Sequence, residues 1–202
     1  MIYSYIVVDN LVNESAKSGL PPNCMMESVV RAEFDRISAL NQLAAFALAI
    51  NDETDSALSE QFGRTPSEIE TLILVRHCET FTVGWLAEVL ALTHSAAVRI
   101  VDRLQRDELI NRVQQSNRRF VGLILTSKGI ELADKILRAR QETLESLACD
   151  VSDSSLEKAL PLIKRILSKH SDHETVSYRR CRLCDEISCG TNCPVQNTFG
   201  TR

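Results

Sequence analysis

Residues 82–126 predict a mainly α-helical chain with one small β-hairpin, and three observations carry that expectation. First, VGWLAEVL sets Leu86, Val89 and Leu90 at i, i+3 and i+4, the spacing that buries one face of a helix. Second, Ala91-Leu92 separates it from HSAAVRIVDRLQRDE, where Thr93 is a good N-cap and Ala97, Val98, Val101 and Leu104 turn inward. Third, LINRVQQ and FVGLILT read as strands around a polar tip, Ser116-Asn117-Arg118-Arg119. Two short helices and a basic-tipped hairpin are the parts of a winged helix-turn-helix, whose second helix enters a major groove. The expected architecture places this reader between long N- and C-terminal helices that form a dimerisation body, and adds a cysteine-rich C-terminal tail.

Composition narrows the class without selecting one. A chain of 202 residues with 44% hydrophobic and 25% charged residues can bury a substantial core. No apolar run approaches the roughly 20 residues that cross a bilayer. The start of the chain has neither the basic region nor the cleavage pattern of a signal peptide. Net charge is −4, so the chain is not coated in positive charge. Within residues 82–126, however, Arg99, Arg103, Arg106, Arg112, Arg118 and Arg119 outnumber Glu88, Asp102, Asp107 and Glu108. A local basic excess is what one phosphate-facing surface requires.

The remaining elements are expected in the following order. Residues 1–26 form an N-terminal arm, with a β-leaning run at 2–8 and a stop at Pro21-Pro22. A helical dimerisation region covers 27–64 and resumes at 127–170. In its first part a long helix over 27–50, with Val30, Phe34, Ile37, Ala44, Phe46 and Leu48 as its stripe, breaks at the polar residues 51–55. A short helix over 56–62 follows and ends at Gly63. The reader covers 65–126: Thr65 caps its first helix, Pro66 opens it, Glu68 closes a capping box, and Ile69, Leu72, Ile73 and Val75/Arg76 mark its buried side. Thr126 caps a long helix to about residue 148. Ser154 and Glu157 have capping-box spacing for a last helix, which carries Leu156, Leu160, Ile163, Ile166 and Leu167 and should kink at Pro161. More apolar surface than the reader can cover implies a homodimer. Two readers on a two-fold axis bind a pseudo-palindromic operator with half-sites about 34–36 Å apart on double-stranded DNA.

The order of elements, and the segments TVGWLAEVLALTHSAAVRIVDRLQRDELINRV and SNRRFVGLILTSKG, resemble the MarR (multiple antibiotic resistance regulator) family over residues 34–170. The resemblance implies a homodimeric winged-helix transcriptional regulator, usually a repressor, with residues 93–107 as recognition helix. DNA contact then falls on His94, Ser95, Arg99 and Arg103, and on Arg118 and Arg119 at a wing tip in the minor groove. It also implies a small-molecule effector, often a phenolic or aromatic carboxylate, held between body and reader. Two departures stand out. Ala91 occupies a turn position where the family often has Gly, which suits alanine if φ stays negative. Asn117-Arg118-Arg119 replaces the wing's Asp-x-Arg and lacks the charge that would orient Arg119. Several tempting residues have plainer readings: Trp85 as a core anchor, His77 as a surface histidine, Cys78 as a core cysteine and Cys24 as an incidental thiol. Arg99, Arg103 and Arg106 could also be solvated partners of Asp102 and Asp107.

Seven cysteines are present, and Cys181, Cys184, Cys189 and Cys193 lie together in the tail at 171–202. A secreted disulfide scaffold would spread them through the fold, so a reducing cytoplasm and a metal site are expected. The pattern is C-x2-C-x4-C-x3-C-P. An iron–sulfur cluster of the 4Fe-4S type takes four cysteine ligands, and a closing Cys-Pro also ends the bacterial ferredoxin run. Tetrahedral zinc takes four cysteines as well and is the alternative, with a metal-free redox thiol cluster third. A cluster would make the chain a redox-, oxygen- or iron-responsive DNA-binding regulator. With zinc, the tail becomes a structural clasp on a regulator that answers a small molecule. No Gly-rich nucleotide loop, Ser/His/Asp ordering or second cluster motif is present, so no enzyme is expected.

Overall fold

Nothing in residues 23–62 stops a helix, and the chain uses all of them: helix α1 (Pro22–Phe62) runs without interruption. The computed structural model describes residues 22–77, 81–114, 121–169, 173–190 and 193–195, with side chains from residue 36 onward except residue 186. Residues 1–21 of the expected arm, Cys78, the side chain of Cys24, and the wing tip with Arg118 and Arg119 lie outside the described residues. Proline at the first helical position gives up only an N–H that has no partner there. The polar break expected at 51–55 is instead helical, because Asn, Asp, Glu and Thr weaken a helix far less than Gly or Pro. Gly63 ends α1 with φ +61°, the left-handed stop that glycine supplies.

Two compact units divide within this helix, Met1–Asn51 and Asp52–Arg202. The described part of the first is a length of α1 on which Ile37, Leu40, Phe46 and Leu48 are exposed. The second unit contains α2 (Pro66–His77), α3 (Val83–Val89), α4 (His94–Arg106), β1 (Ile110–Gln114), β2 (Val121–Leu125), α5 (Ser127–Leu147), α6 (Asp153–Ser168), α7 (Glu174–Arg180) and the single turn α8 (Glu186–Cys189).

Helix α2 is the centre of that unit. Every residue from Glu68 to Val75 is buried, so it lacks the one-sided stripe expected of it. Leu72, Ile73, Phe81, Leu86, Leu104, Ile110, Leu123 and Ile136 meet in one core drawn from helices and hairpin alike. The hairpin is antiparallel, with Ile110 opposite Leu125 and Gln114 opposite Val121. Leu123 N–H donates to the Phe81 carbonyl at 2.8 Å, which ties the hairpin to the chain entering α3. Thr93 and Thr126 cap α4 and α5 through their hydroxyls, as expected, and Thr82, which the sequence reading did not single out, caps α3 in the same way. Ser152 caps α6 through the Ser155 N–H, which moves the expected cap from Ser154. None of the described α6 side chains is buried, and Leu156, Leu160, Ile163 and Ile166 are exposed along it. Pro161 lies inside the helix.

Two backbone positions fix how the reader is assembled. Ala91, in the turn between α3 and α4, has φ +55°, so the expectation of a negative φ there is corrected. A left-handed residue with a Cβ is disfavoured by about 1–2 kcal/mol. Gly129, in the first turn of α5, lies so close to β1 that an added Cβ would sit 2.0 Å from the Leu109 carbonyl oxygen. Thr126 N–H donates to that same oxygen at 3.0 Å. Two opposite results are expected from denaturant unfolding. Gly129→Ala, a change that normally favours a helix, should destabilise by about 1–3 kcal/mol because backbone must move. Ala91→Gly should stabilise by up to about 1 kcal/mol, the relief of strain exceeding the extra freedom of the unfolded chain.

Candidate nucleic-acid interface and thiol cluster

Helix α4 has one face committed to the core and one face exposed. Ala97, Val101 and Leu104 are fully buried, and Ile100, which the spacing did not single out, joins them, whereas Val98 is only half-buried. The Thr93 hydroxyl accepts from Ala96 N–H at 3.2 Å and lies 3.2 Å from the Ser95 hydroxyl. His94, Ser95, Arg99, Arg103 and Arg106 are exposed. Ser95 and Arg99 are four residues apart and so share a face. The N-terminal turn of α4 also presents backbone N–H groups that favour an anion nearby.

Two of these arginines are placed by partners. Arg103 Nε donates to Glu68 Oε1 at 3.0 Å, across from α4 to α2, with the Glu68 side chain 8% exposed. The other Glu68 oxygen accepts from the Thr65 N–H and hydroxyl, each at 2.9 Å, completing the expected capping box. Arg106 Nε reaches its own helix at the Asp102 carbonyl, 3.4 Å away. The acidic residues of this face are neutralised from outside α4: Arg112 of β1 pairs with Asp102 at 2.6 Å, and Arg64 pairs with Asp107 at 2.9 Å. Asp102 and Asp107 are thus spent on arginines other than the three on α4. Arg99 has no ion-pair or hydrogen-bond partner among the described residues, and it borders a shallow groove with Thr65, Ser67, Ala96, Asp102 and Arg106.

The tail is folded against the same reader. Helix α7 has no apolar stripe, yet Thr175 and Ser177 are buried. The Thr175 hydroxyl donates to Glu88 Oε1 at 3.1 Å. Arg179 donates through Nε to the Val89 carbonyl and through Nη2 to the Glu88 carbonyl, both at 2.8 Å. Those are carbonyls at the C-terminal end of α3, where a cation is favoured. Tyr178 meets Phe81 and Trp85 edge-on at ring separations of 5.5 and 5.0 Å, while Phe81 and Trp85 stack at 4.4 Å. Trp85 is therefore the core anchor expected. Arg182 pairs with Glu70 of α2. His77 Nε2, read from sequence as a surface histidine, donates to the Cys184 carbonyl at 2.6 Å.

The four tail cysteines are neighbours. Cys184 and Cys189 sulfurs are 3.3 Å apart. Cys181 interacts with Cys184 and Cys193, and Cys189 with Cys193 as well. Cys184 donates to Cys181, which holds the Cys181 thiol below the ordinary cysteine range and pushes that of Cys184 far above it. Burial, followed by Cys184, raises Cys189. Cys193 is buried, and Cys149 is exposed in another part of the chain. Among the described residues no group of three or more His, Cys, Asp or Glu already forms a closed ligand set. The sulfurs are gathered by pairs: Cys184 with Cys181 and Cys189, and Cys193 with Cys181 and Cys189.

Residues 65–121 match the family model described as MarR family. A Bacillus subtilis protein named HTH-type transcriptional regulator YsmB is 25% identical over 122 residues, 60% of this chain and 81% of that protein. A MarR family protein from Bacillus stearothermophilus superposes with a TM-score of 0.59 at 21% identity, covering 65% of this chain and 93% of its own. MarR from E. coli, in its apo form, gives 0.54 at 22% identity, with 62% and 96% covered. These likenesses establish the winged-helix fold, and the family-model match ends before the tail begins.

Glu70 supplies a pH test of the docked tail. Burial raises its carboxyl above the usual glutamate value, and Arg182 only partly opposes this. A raised carboxylate contributes stability that is complete below the unfolded value and lost as pH rises through the folded one. Glu70→Gln should remove that loss. Its melting temperature, compared with the parent from pH 4 upward, should improve as pH passes from the unfolded to the raised folded value and then level off.

Proposed function

We propose that this chain, whose residues 65–121 are a MarR-family winged helix-turn-helix region, is a sequence-specific DNA-binding transcriptional regulator, acting as a homodimeric repressor. The observation that carries this is Arg99. It is an unpartnered guanidinium on the exposed face of a helix whose opposite face is locked into the core. A cation held at low solvation cost without a protein partner suits a phosphate or the edge of a guanine. His94 and Ser95, in the first turn of the same helix, are placed for base edges or phosphates. Arg103 adds charge at the rim while Glu68 holds its guanidinium. Arg118 and Arg119 complete the reading as wing contacts. The relatives named as transcriptional regulators support the same function.

Homodimerisation is supported by α6, where Leu156, Leu160, Ile163 and Ile166 form an exposed apolar stripe at spacings of four, three and three. Two such stripes packed together bring two copies of α4 to one pseudo-palindromic operator.

The tail supplies the regulatory input through Cys181, Cys184, Cys189 and Cys193. An iron–sulfur centre would make that input redox state, oxygen or iron. The sulfur spacing supports zinc instead. Two thiolates on one tetrahedral zinc, each about 2.3 Å from the metal, stand about 3.8 Å apart. Cysteine sulfurs around a four-iron cluster stand roughly 6 Å apart. Cys184 and Cys189, at 3.3 Å, are close to the first separation and far from the second.

A preferred operator would be selected from randomised duplex DNA and its affinity followed against salt. The logarithm of affinity should fall linearly with that of salt concentration as arginines displace counterions. Arg99→Ala should weaken operator binding by about 1–3 kcal/mol and leave the melting temperature unchanged. Absence of any preferred sequence, with a flat salt response, would overturn the reading.

A further inference from the structure

We propose that the four tail cysteines bind one zinc ion, and that this ion controls the DNA reader by holding helix α7 on the end of helix α3. This inference rests on the DNA-binding reading and assigns its regulation. Three observations on the tail point the same way. The cysteines lie on both sides of α8, and two of their sulfurs are already near the separation of ligands on one tetrahedral ion. Cys181 directly follows the last residue of α7, so a closed site pins the C-terminal end of that helix. Helix α7 then spends Arg179 on the last carbonyls of α3, Thr175 on Glu88 and Tyr178 on Trp85.

The point of attachment is mechanically sensitive. Glu88 and Val89 come immediately before the turn in which Ala91 is held at φ +55°. That turn sets the direction in which α4 leaves α3. Leu92 N–H donates to the Ala87 carbonyl at 2.8 Å, so the strained turn depends on the last residues of α3 staying helical. Arg179 holds those residues by two hydrogen bonds. Without it, the final turn of α3 frays more readily and Ala91 can relax, which changes the angle between α3 and α4.

Zinc binding supplies the control because the site closes only with the ion. Each ligating thiol gives its proton to solvent and its sulfur lone pair to zinc, so binding is coupled to local folding. Cys184 is anchored meanwhile through its carbonyl to His77 of α2, and Arg182 to Glu70. The zinc-loaded chain is therefore the form that binds DNA. Removing zinc frees the C-terminal end of α7, weakens the Arg179 clamp and lowers operator affinity.

The test uses the full chain, zinc alone as ligand, the selected operator, and the chain's one tryptophan, Trp85, as a probe of Tyr178 packing. The parent should retain one zinc per chain. Chelation should lower operator affinity roughly tenfold, the usual size of a coupling between sites, and shift Trp85 emission toward that of an exposed indole. Arg179→Ala should still bind one zinc yet show the weak operator binding of the chelated parent. Cys184→Ser with Cys189→Ser should lose zinc and match it too. Zinc-loaded Arg179→Ala binding operator like the parent would overturn the clamp. So would a chelated parent with unchanged affinity. Stoichiometric iron and sulfide in place of zinc would overturn the ion. If Trp85 responds to zinc while no duplex is bound in any state, the DNA-binding reading has failed and the tail's attachment has not.

Discussion

Helix α4 is fastened to α2 through a carboxylate that has no freedom left. Glu68 is almost wholly removed from water, and its two oxygens have separate tasks. One closes the N-terminus of α2, the helix at the centre of the core. The other receives Arg103 from α4. A buried carboxylate with fewer partners would take up a proton or pull water inward, so both attachments reinforce one another. The consequence for function is geometric. The apolar face of α4 sets its depth in the core, and Glu68 sets its rotation about that face. Arg99, one turn before Arg103, is exposed and without an ion-pair or hydrogen-bond partner among the described residues. The acidic residues beside it are occupied by Arg64 and Arg112, so its charge is not quenched locally. A chain with an overall charge of −4 can in this way present a positive helix.

The reader was largely legible in the sequence because its determinants are local. Thr65 with Glu68, and Thr93 and Thr126, are caps whose partners lie three residues away, and each is found capping. The core face of α4 follows from helical spacing, which places Ala97, Val101 and Leu104 together. Its length was equally visible, since apolar periodicity ends where Asp107 stops the helix. What escaped was non-local or degenerate. The residues at 51–55 read as a break only because they are polar, and polarity says which way a side chain faces more than whether backbone is helical. Ser152 and Ser154 are both good caps, and sequence has no means of choosing between neighbours. The positive φ of Ala91 is imposed by the packing of α3 on α4, against the preference of alanine itself.

Helix α7 was invisible for a further reason. Its contacts are made by Thr175, Ser177, Tyr178 and Arg179, none of which forms an apolar pattern, and the partners of Arg179 lie 90 and 91 residues away. Backbone carbonyls accept those hydrogen bonds, so no side chain on α3 announces the interaction. The cysteine motif, by contrast, was legible as a motif, and spacing alone left the metal open.

The placement of the tail follows from what a DNA reader can tolerate. A regulatory contact on α4 would cover Arg99, Ser95 or His94 and compete with DNA directly. Thr175, Tyr178 and Arg179 of α7 reach α3 and the chain entering it, Arg180 reaches the Leu167 carbonyl of α6, and Arg182 and Cys184, just beyond the helix, reach α2. Acting there leaves the reading face exposed and alters only its angle. On the proposed function small changes suffice, since Arg99 and Ser95 would have to reach base edges within hydrogen-bonding distance, and a tilt at the α3–α4 turn is magnified along α4. A strained turn is suited to this role because it relaxes when its support is withdrawn. Arg179 supplies two hydrogen bonds to that support, and under the proposal the four cysteines that begin one residue beyond α7 determine whether they stay in place.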